Sequence, residues 1–367
     1  MKTNKILPLA EPEITAFSHQ AILTSILMAY EQCKPWICNN YIQIFTLKDL
    51  KKQKNRTGTL DFFYEGYSDY NRVEYKINPW IRYSEIPLVF IDSSKELCRI
   101  VEEILDSGSY VMLDIDEFYI PEYMTKRHIE HMMLIYGYDI VSDVFYCMDN
   151  FAQGKLAKKQ IKIEHIMNAV NERLRVYTSS YDFGVDNPGP LLTVIGVAPK
   201  IYEREYPALE TIDLKKIAYL MASYMDESFF YMTHTINNTY VYGIEAYKEL
   251  INYFEDCFTY SNKIDNRALC SMIDHKKLMI WRLKYIKEKM EYLLPNVKFQ
   301  KLIDGFIDIE QRLNRILFLL LKYSVKGGGN ITKIREKIET VYELEHELFK
   351  EMLCQFGEYS GKENLGY

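Results

Sequence analysis

Within residues 128–150, "HIEHMMLIYGYDIVSDVFYCMDN", an imidazole and a carboxylate flank two apolar runs. His131 heads the first run and Asp149 closes the second, with Gly137-Tyr138-Asp139 between them as the expected turn. A hairpin folded there returns Asp149 to the neighbourhood of His131. A carboxylate-oriented imidazole is a general base, and a general base needs a nucleophile to act on. The stretch "ITAFSHQAILTSIL" places Ser18 at the mouth of the first long helix, where unpaired amides and the helix dipole stabilise an anion. Ser18, His131 and Asp149 therefore form the candidate catalytic set, in that order along the chain. A serine there depends on its base throughout, whereas a thiolate reacts once its pKa has dropped.

Each of these residues also has a plain structural reading. His131 on its own is compatible with a core histidine satisfied by the backbone; the hairpin and Asp149 tip the balance to catalysis. His128, Glu130 and His131 look like a fragment of a metal site, but histidines three apart at a strand entrance do not converge, so His128 is expected in a loop and no metal is expected. Asp114 and Asp116 form a weak DxD signal. Asp116 either caps a turn or faces the cleft, where it would hold an incoming ammonium group. The oxyanion has no glutamine donor ahead of Ser18, since that region reads "LAEPEITAF". The Ser18 amide, His19 and Gln20 remain as candidates. Cys33 and Cys38 lie beyond the helix, at the wrong end for dipole activation. Cys147 shares a strand face with Asp149 and is core or site lining. The Tyr-rich stretch 62–77, with Trp36 and Trp80, is either a groove wall or loop and core.

These side chains need elements to hold them. "HQAILTSILMAY" (19–30) reads as a buried helix and "YIQIFTL" as a strand, followed by an irregular stretch over 59–84 and a short strand at 86–91. "SSKELCRIVEEILDSG" (93–108) reads as a helix with a Ser cap, Leu97, Ile100, Val101 and Ile104 on one face, and Gly108 as its stop. A strand over 109–120, the hairpin, a helix over 163–175 and a strand over 191–198 complete an α+β domain assigned to residues 1–205. From 206 to 367 the apolar residues recur every three to four positions, which predicts a helical domain with Gly327-Gly328-Gly329 as a hinge.

Composition narrows the function classes. The chain has 367 residues, 48% of them hydrophobic, and a net charge of −6, which argues against a nucleic-acid partner. Seven scattered cysteines without a CxxC pair fit reduced thiols in the cytoplasm and argue against zinc. The start "MKTNKILPLAEPEI", broken by Pro8 and Glu11, reads against a secretory signal, and no apolar run is long enough to span a membrane.

The stretch from Gly108 to Asn150 resembles the N-terminal domain of the butirosin-type acyltransferases, papain-like proteins of bacterial natural-product pathways akin to the peptidase C39 family. The resemblance is carried by Gly108, Asp116, Phe118-Tyr119-Ile120-Pro121, His131, Gly137-Tyr138-Asp139 and Asp149, and more weakly by "YGIEAYKELINYF" at 242–254. It implies a papain-like cysteine-protease fold followed by a C-terminal helical domain. It also implies an amide-forming acyltransferase of antibiotic biosynthesis that takes an acyl group from an acyl carrier protein thioester. Ser18, His131 and Asp149 would be catalytic; Asp116, Tyr119, His19 and Gln20 would meet substrate, including an amine or diamine acceptor. No cofactor is implied. One departure matters: the family has Cys where this chain has Ser18. An engineered Cys-to-Ser change, a native serine nucleophile and an inactive relative all fit that departure. A peptidase or amidase, or a non-catalytic binding protein, are the competing functions.

Overall fold

A computed structural model of the chain describes residues 3–48, 60–63, 78–179, 189–198, 211–226, 240–326 and 329–357. Helices and antiparallel sheets mix in an α+β arrangement, and the C-terminal region is helical. Two compact units emerge, each assembled from three stretches of chain: residues 1–12, 18–31 and 68–205 in one, and 13–17, 32–67 and 206–367 in the other. The boundary at 205/206 expected from the periodicity lies outside the described residues. Residues 13–17, 32–48 and 60–63, expected in the first domain, group with the helical unit.

The first unit is built on a seven-stranded antiparallel sheet. Its strands are β1 (Asn4–Ile6), β4 (Ile81–Pro87), β5 (Tyr110–Asp116), β6 (Glu130–Asp139), β7 (Val144–Phe151), β8 (Lys155–Lys162) and β9 (Leu191–Val197). They run in the order β4-β9-β5-β6-β7-β8, with β1 joined to β6 beyond the end of β5. Helix α1 (Ser18–Met28) packs on β7. All its residues from Gln20 to Met28 are buried, as an all-round apolar composition requires. Helix α3 (Ser94–Asp106) lies against β5 and β6, and α4 (Ile163–Ser179) against β5. The Ser93 cap on α3 is present, its side chain accepting from the Glu96 amide, and Gly108 ends the segment at φ +90°. Leu97, Val101 and Leu105 are the buried face; Ile100 and Ile104 are only half-buried.

Three expectations about residues 59–143 are corrected. The stretch 86–91 is the end of β4 followed by a 3₁₀ turn, Leu88–Phe90. The supposedly irregular 59–84 holds strand β3 (Leu60–Phe63) and most of β4. The hairpin turn lies at residues 140–143, where Asp143 takes φ 55°, and not at Gly137-Tyr138-Asp139. Those three residues extend β6 so that it can pair with β1: Gly137 opposes Ile6, Tyr138 opposes Lys5 and Asp139 opposes Asn4. Asp139 then accepts from the Val141 and Ser142 amides and closes the true turn.

The second unit carries a three-stranded antiparallel sheet in which β2 (Gln43–Leu47) lies between β3 and β10 (Tyr240–Tyr242). Helices α5 (Leu214–Met225) and α6 (Ala246–Thr259) pack on β2 and α7 (Arg267–Met290) on β3, while α2 (Lys34–Asn39), α8 (Phe299–Lys326) and α9 (Ile331–Gly357) pack on other helices. Helix α7 packs against α8, and α9 against α5, α6 and α8. Trp36 is buried in this unit and Trp80 in the first, so both are core residues. Of the Tyr-rich stretch, only 62 and 63 fall within the described residues, as the end of β3; Gly327 and Gly328 of the expected hinge also lie outside them.

Candidate active site

Antiparallel pairing sets the site. In β6 and β7, Leu134 opposes Met148 and Ile135 opposes Cys147, so His131 and Asp149 are diagonal neighbours on one sheet face. His131 enters the strand at its second residue, opposite Ile115 of β5. Its Nε2 lies 2.9 Å from Asp149 Oδ1. The Asp149 side chain is completely buried, while the His131 side chain is 29% exposed.

Asp149 is held from three directions. Besides the imidazole, its Oδ1 accepts the Asn150 amide at 2.7 Å and its Oδ2 accepts the Tyr123 hydroxyl. With Asp149 accepting at Nε2, the neutral His131 ring carries its proton there and turns Nδ1 away from that carboxylate. Burial works against a charge on His131. The hydrogen bond and charge of Asp149, with Glu117 and Asp114 adding to them, outweigh it and raise the imidazole pKa above its ordinary value. Burial, reinforced by Asp149, raises the Tyr123 phenol well above its usual range and keeps it a donor.

Tyr123 and Glu117 are the functional residues that reading the sequence missed. Tyr123 ends a short 3₁₀ turn, Pro121–Tyr123, that Met124 closes in the left-handed region at φ 53°. Its ring meets His131 edge-on at 6.2 Å and Phe151 at 4.9 Å. Glu117 Oε1 stands 3.9 Å from His131 Nδ1. Both lie in "DEFYIPEYM", between the strand and the histidine. No periodic signal marks them, because both side chains are placed by 3₁₀ turns between β5 and β6.

Ser18 is the first residue of α1, half-buried, on the helix that packs against the strand bearing Asp149. No hydrogen bond joins it to His131 or Asp149. The structure thus pairs two members of the expected set directly and places the third on an element of the same unit. His19, next along the helix, is half-buried, whereas Gln20 is wholly buried, which removes its side chain from solvent.

Asp116 caps a turn. Its Oδ1 accepts from the Phe118 and Ile129 amides at 3.0 and 3.3 Å, and its Oδ2 lies 2.6 Å from His128 Nδ1. The carboxylate pins the turn between β5 and β6, the capping role that was one of its two readings. His128 is in the loop, as its spacing required, and stacks on Phe118 at 4.4 Å. Tyr119 belongs to that cluster, 5.2 Å from Phe118, with no hydrogen bond or ring contact to His131.

Burial disfavours the thiolate at three of the cysteines. Burial pushes the Cys33 and Cys38 thiols up to about 12. Cys147 is sealed in β7, its thiol raised by burial and by Asp149. Among the described residues, no three or more His, Cys, Asp or Glu side chains converge as metal ligands, and no helix is long and apolar enough to cross a membrane. Comparison with known families finds no match for the sequence, and no curated protein is significantly similar to it.

Proposed function

We propose that the chain is a papain-like acyltransferase that forms an amide, moving an acyl group from a carrier-protein thioester through Ser18 to an amine. The observation that carries this reading is the imidazole held at Nε2 by a completely buried carboxylate, its other nitrogen left for chemistry. The motif around Asp116, Tyr119, His131 and Asp149, which resembles the butirosin-type enzymes, supplies the reaction class. In the first half-reaction the Ser18 oxygen attacks the thioester carbonyl and its proton passes to His131 Nδ1. The C–S bond breaks, the thiolate takes that proton, and an ester remains on Ser18. In the second, the amine nitrogen attacks the ester, loses a proton to Nδ1, and the C–O bond to Ser18 breaks as the oxygen regains a proton. The thioester supplies the driving force. Asp149 fixes the ring and stabilises the imidazolium.

Intact-protein mass after incubation with a thioester-loaded carrier protein tests the reading. Ser18→Cys should accumulate the acyl adduct faster than the wild-type chain, because a thiolate is the better nucleophile. His131→Ala should lower acylation about 10²- to 10⁴-fold with the fold retained. Amide product on adding amine, in place of the free acid, separates the transferase from a peptidase or amidase. A second reading, a non-catalytic binding protein, is favoured by one observation: Ser18 has no hydrogen bond to His131. Carrier-protein binding with no adduct on either Ser18 or its Cys variant decides for that reading.

A further inference from the structure

Asp149 accounts for one nitrogen of the His131 ring; the other faces a second carboxylate. Glu117 leads the 3₁₀ turn Glu117–Tyr119 directly after β5, and its amide donates to the Ile129 carbonyl just ahead of β6. Strand alternation points Glu117 to the same face as Ile115, the residue opposite His131. The 3.9 Å between Glu117 Oε1 and His131 Nδ1 is too long for a hydrogen bond and short for an interaction between charges. The two side chains are 15% and 29% exposed, so water screens them only partly.

The groups facing the ring can be named element by element. Asp149 comes from β7, Glu117 and Tyr123 from the two turns after β5, and Asp114 from β5 itself, at longer range. Asp114 is already engaged by the Leu191 amide at 2.8 Å. Glu130, the neighbour of His131 along β6, is held by Arg173. Glu117 alone among these carboxylates stands beside Nδ1.

We propose that Glu117 is a positioning residue for His131, its carboxylate turned to Nδ1 to stabilise the ring whenever that nitrogen carries a proton. In this role Glu117 acts through its charge and exchanges no proton with substrate. The inference deepens the acyl-transfer reading, in which Nδ1 takes the Ser18 proton and returns it to the leaving thiolate; the ring's own protonation is measured without any substrate. Burial, with the nearby Asp149 and Asp116 carboxylates, raises the Glu117 pKa above its ordinary value, and the His131 charge offsets part of that rise.

The test is a histidine-selective NMR titration of the free full-length chain, with the His131 signal assigned by its loss in His131→Asn. Glu117→Gln keeps the size and removes the charge, and it should lower the His131 midpoint by about one pH unit. Glu117→Asp, which restores the charge, should bring the midpoint most of the way back. The acid limb of thioester turnover should move down with the midpoint in the Gln variant and return in the Asp variant. A midpoint unchanged in Glu117→Gln overturns the proposal, as does an equal fall in the Gln and Asp variants. Absence of any acyl adduct, with the titration behaving as described, overturns the acyl-transfer reading and leaves the Glu117–His131 coupling standing.

Discussion

The hydroxyl of Tyr123 holds the carboxylate that holds the imidazole, so it controls the site from one residue further back. The Asp149 side chain has no exposure to water, and among the described residues the phenol is the only donor hydrogen-bonded to its Oδ2. Tyr123→Phe keeps the ring contact with Phe151 but leaves a buried carboxylate oxygen without its donor, at a cost of about 1–3 kcal/mol. Asp149 then has greater freedom to rotate away from Nε2. We expect turnover of a thioester substrate to fall about tenfold, in keeping with the loss of one orienting hydrogen bond, with a cooperative thermal unfolding transition retained. Steady-state kinetics beside a calorimetric scan checks this; a variant with wild-type kcat removes Tyr123 from the site. His131 and Asp149 could be found from sequence because residue type and strand spacing restrict where an imidazole and a carboxylate can meet. Tyr123 and Glu117 could not, because a turn places its side chains by its dihedral angles, and those follow from Pro121 and a left-handed Met124, not from any period.

At the scale of elements, the hairpin that carries the site depends on a glycine whose role the sequence disguises. Gly137 looks like a turn residue, yet it lies inside β6, at the register shift between Ile135 and Gly137, with β1 pressed against it. A Cβ there would stand 2.5 Å from the Lys5 carbonyl oxygen and 3.1 Å from the Ile6 Cα, both backbone atoms that cannot rotate aside. Gly137→Ala should therefore push β1 off the sheet, destabilise the unit by about 1–3 kcal/mol and expose the amides that join residues 3–7 to β6. Faster hydrogen exchange at Ile6 and Leu7, with β5 and β9 unaffected, is the expected signature. Elements with a strong period, such as α3, α4 and the helices after 211, were readable because one apolar face repeats along them, and α1 was readable as an unbroken apolar run. The strands β1 and β10 are only three residues long, too short to show any alternation, and their partners lie far away in sequence. The interleaving of the two units escaped for the same reason: β10 at 240–242 pairs with β2 at 43–47, and only the register, not the local pattern, brings 32–67 to the helical unit.

At the scale of the whole molecule, each unit holds a histidine, and the two answer to acid with opposite sign. The helical unit buries a polar network entirely: Lys276 on α7 pairs with Glu345 on α9, and Glu345 also accepts from the Tyr224 and Tyr247 hydroxyls. His275 accepts from Lys276 Nζ at 2.8 Å through Nδ1, and its Nε2 donates to the Ile42 carbonyl at 2.8 Å. That pattern fixes a neutral ring. Burial, aided by the Lys276 charge, holds the His275 pKa well below its ordinary 6.5. Once the pH drops below about 6.5, the unfolded chain binds a proton at this residue that the folded unit refuses, so stability falls by up to about 1.4 kcal/mol for each pH unit. His131 behaves the other way: its folded pKa is raised, so its contribution is complete below the unfolded value and is lost as pH rises through the folded one. Amide exchange corrected for its intrinsic rate can read each unit separately. Between about pH 7 and 5, protection along α7 should decline with the slope of one proton, while β6 and β7 should show no such decline from their own histidine. His275→Gln, which cannot take up the proton, should flatten the α7 slope, and an unchanged slope would mean that some other buried group controls the acid limit of the helical unit.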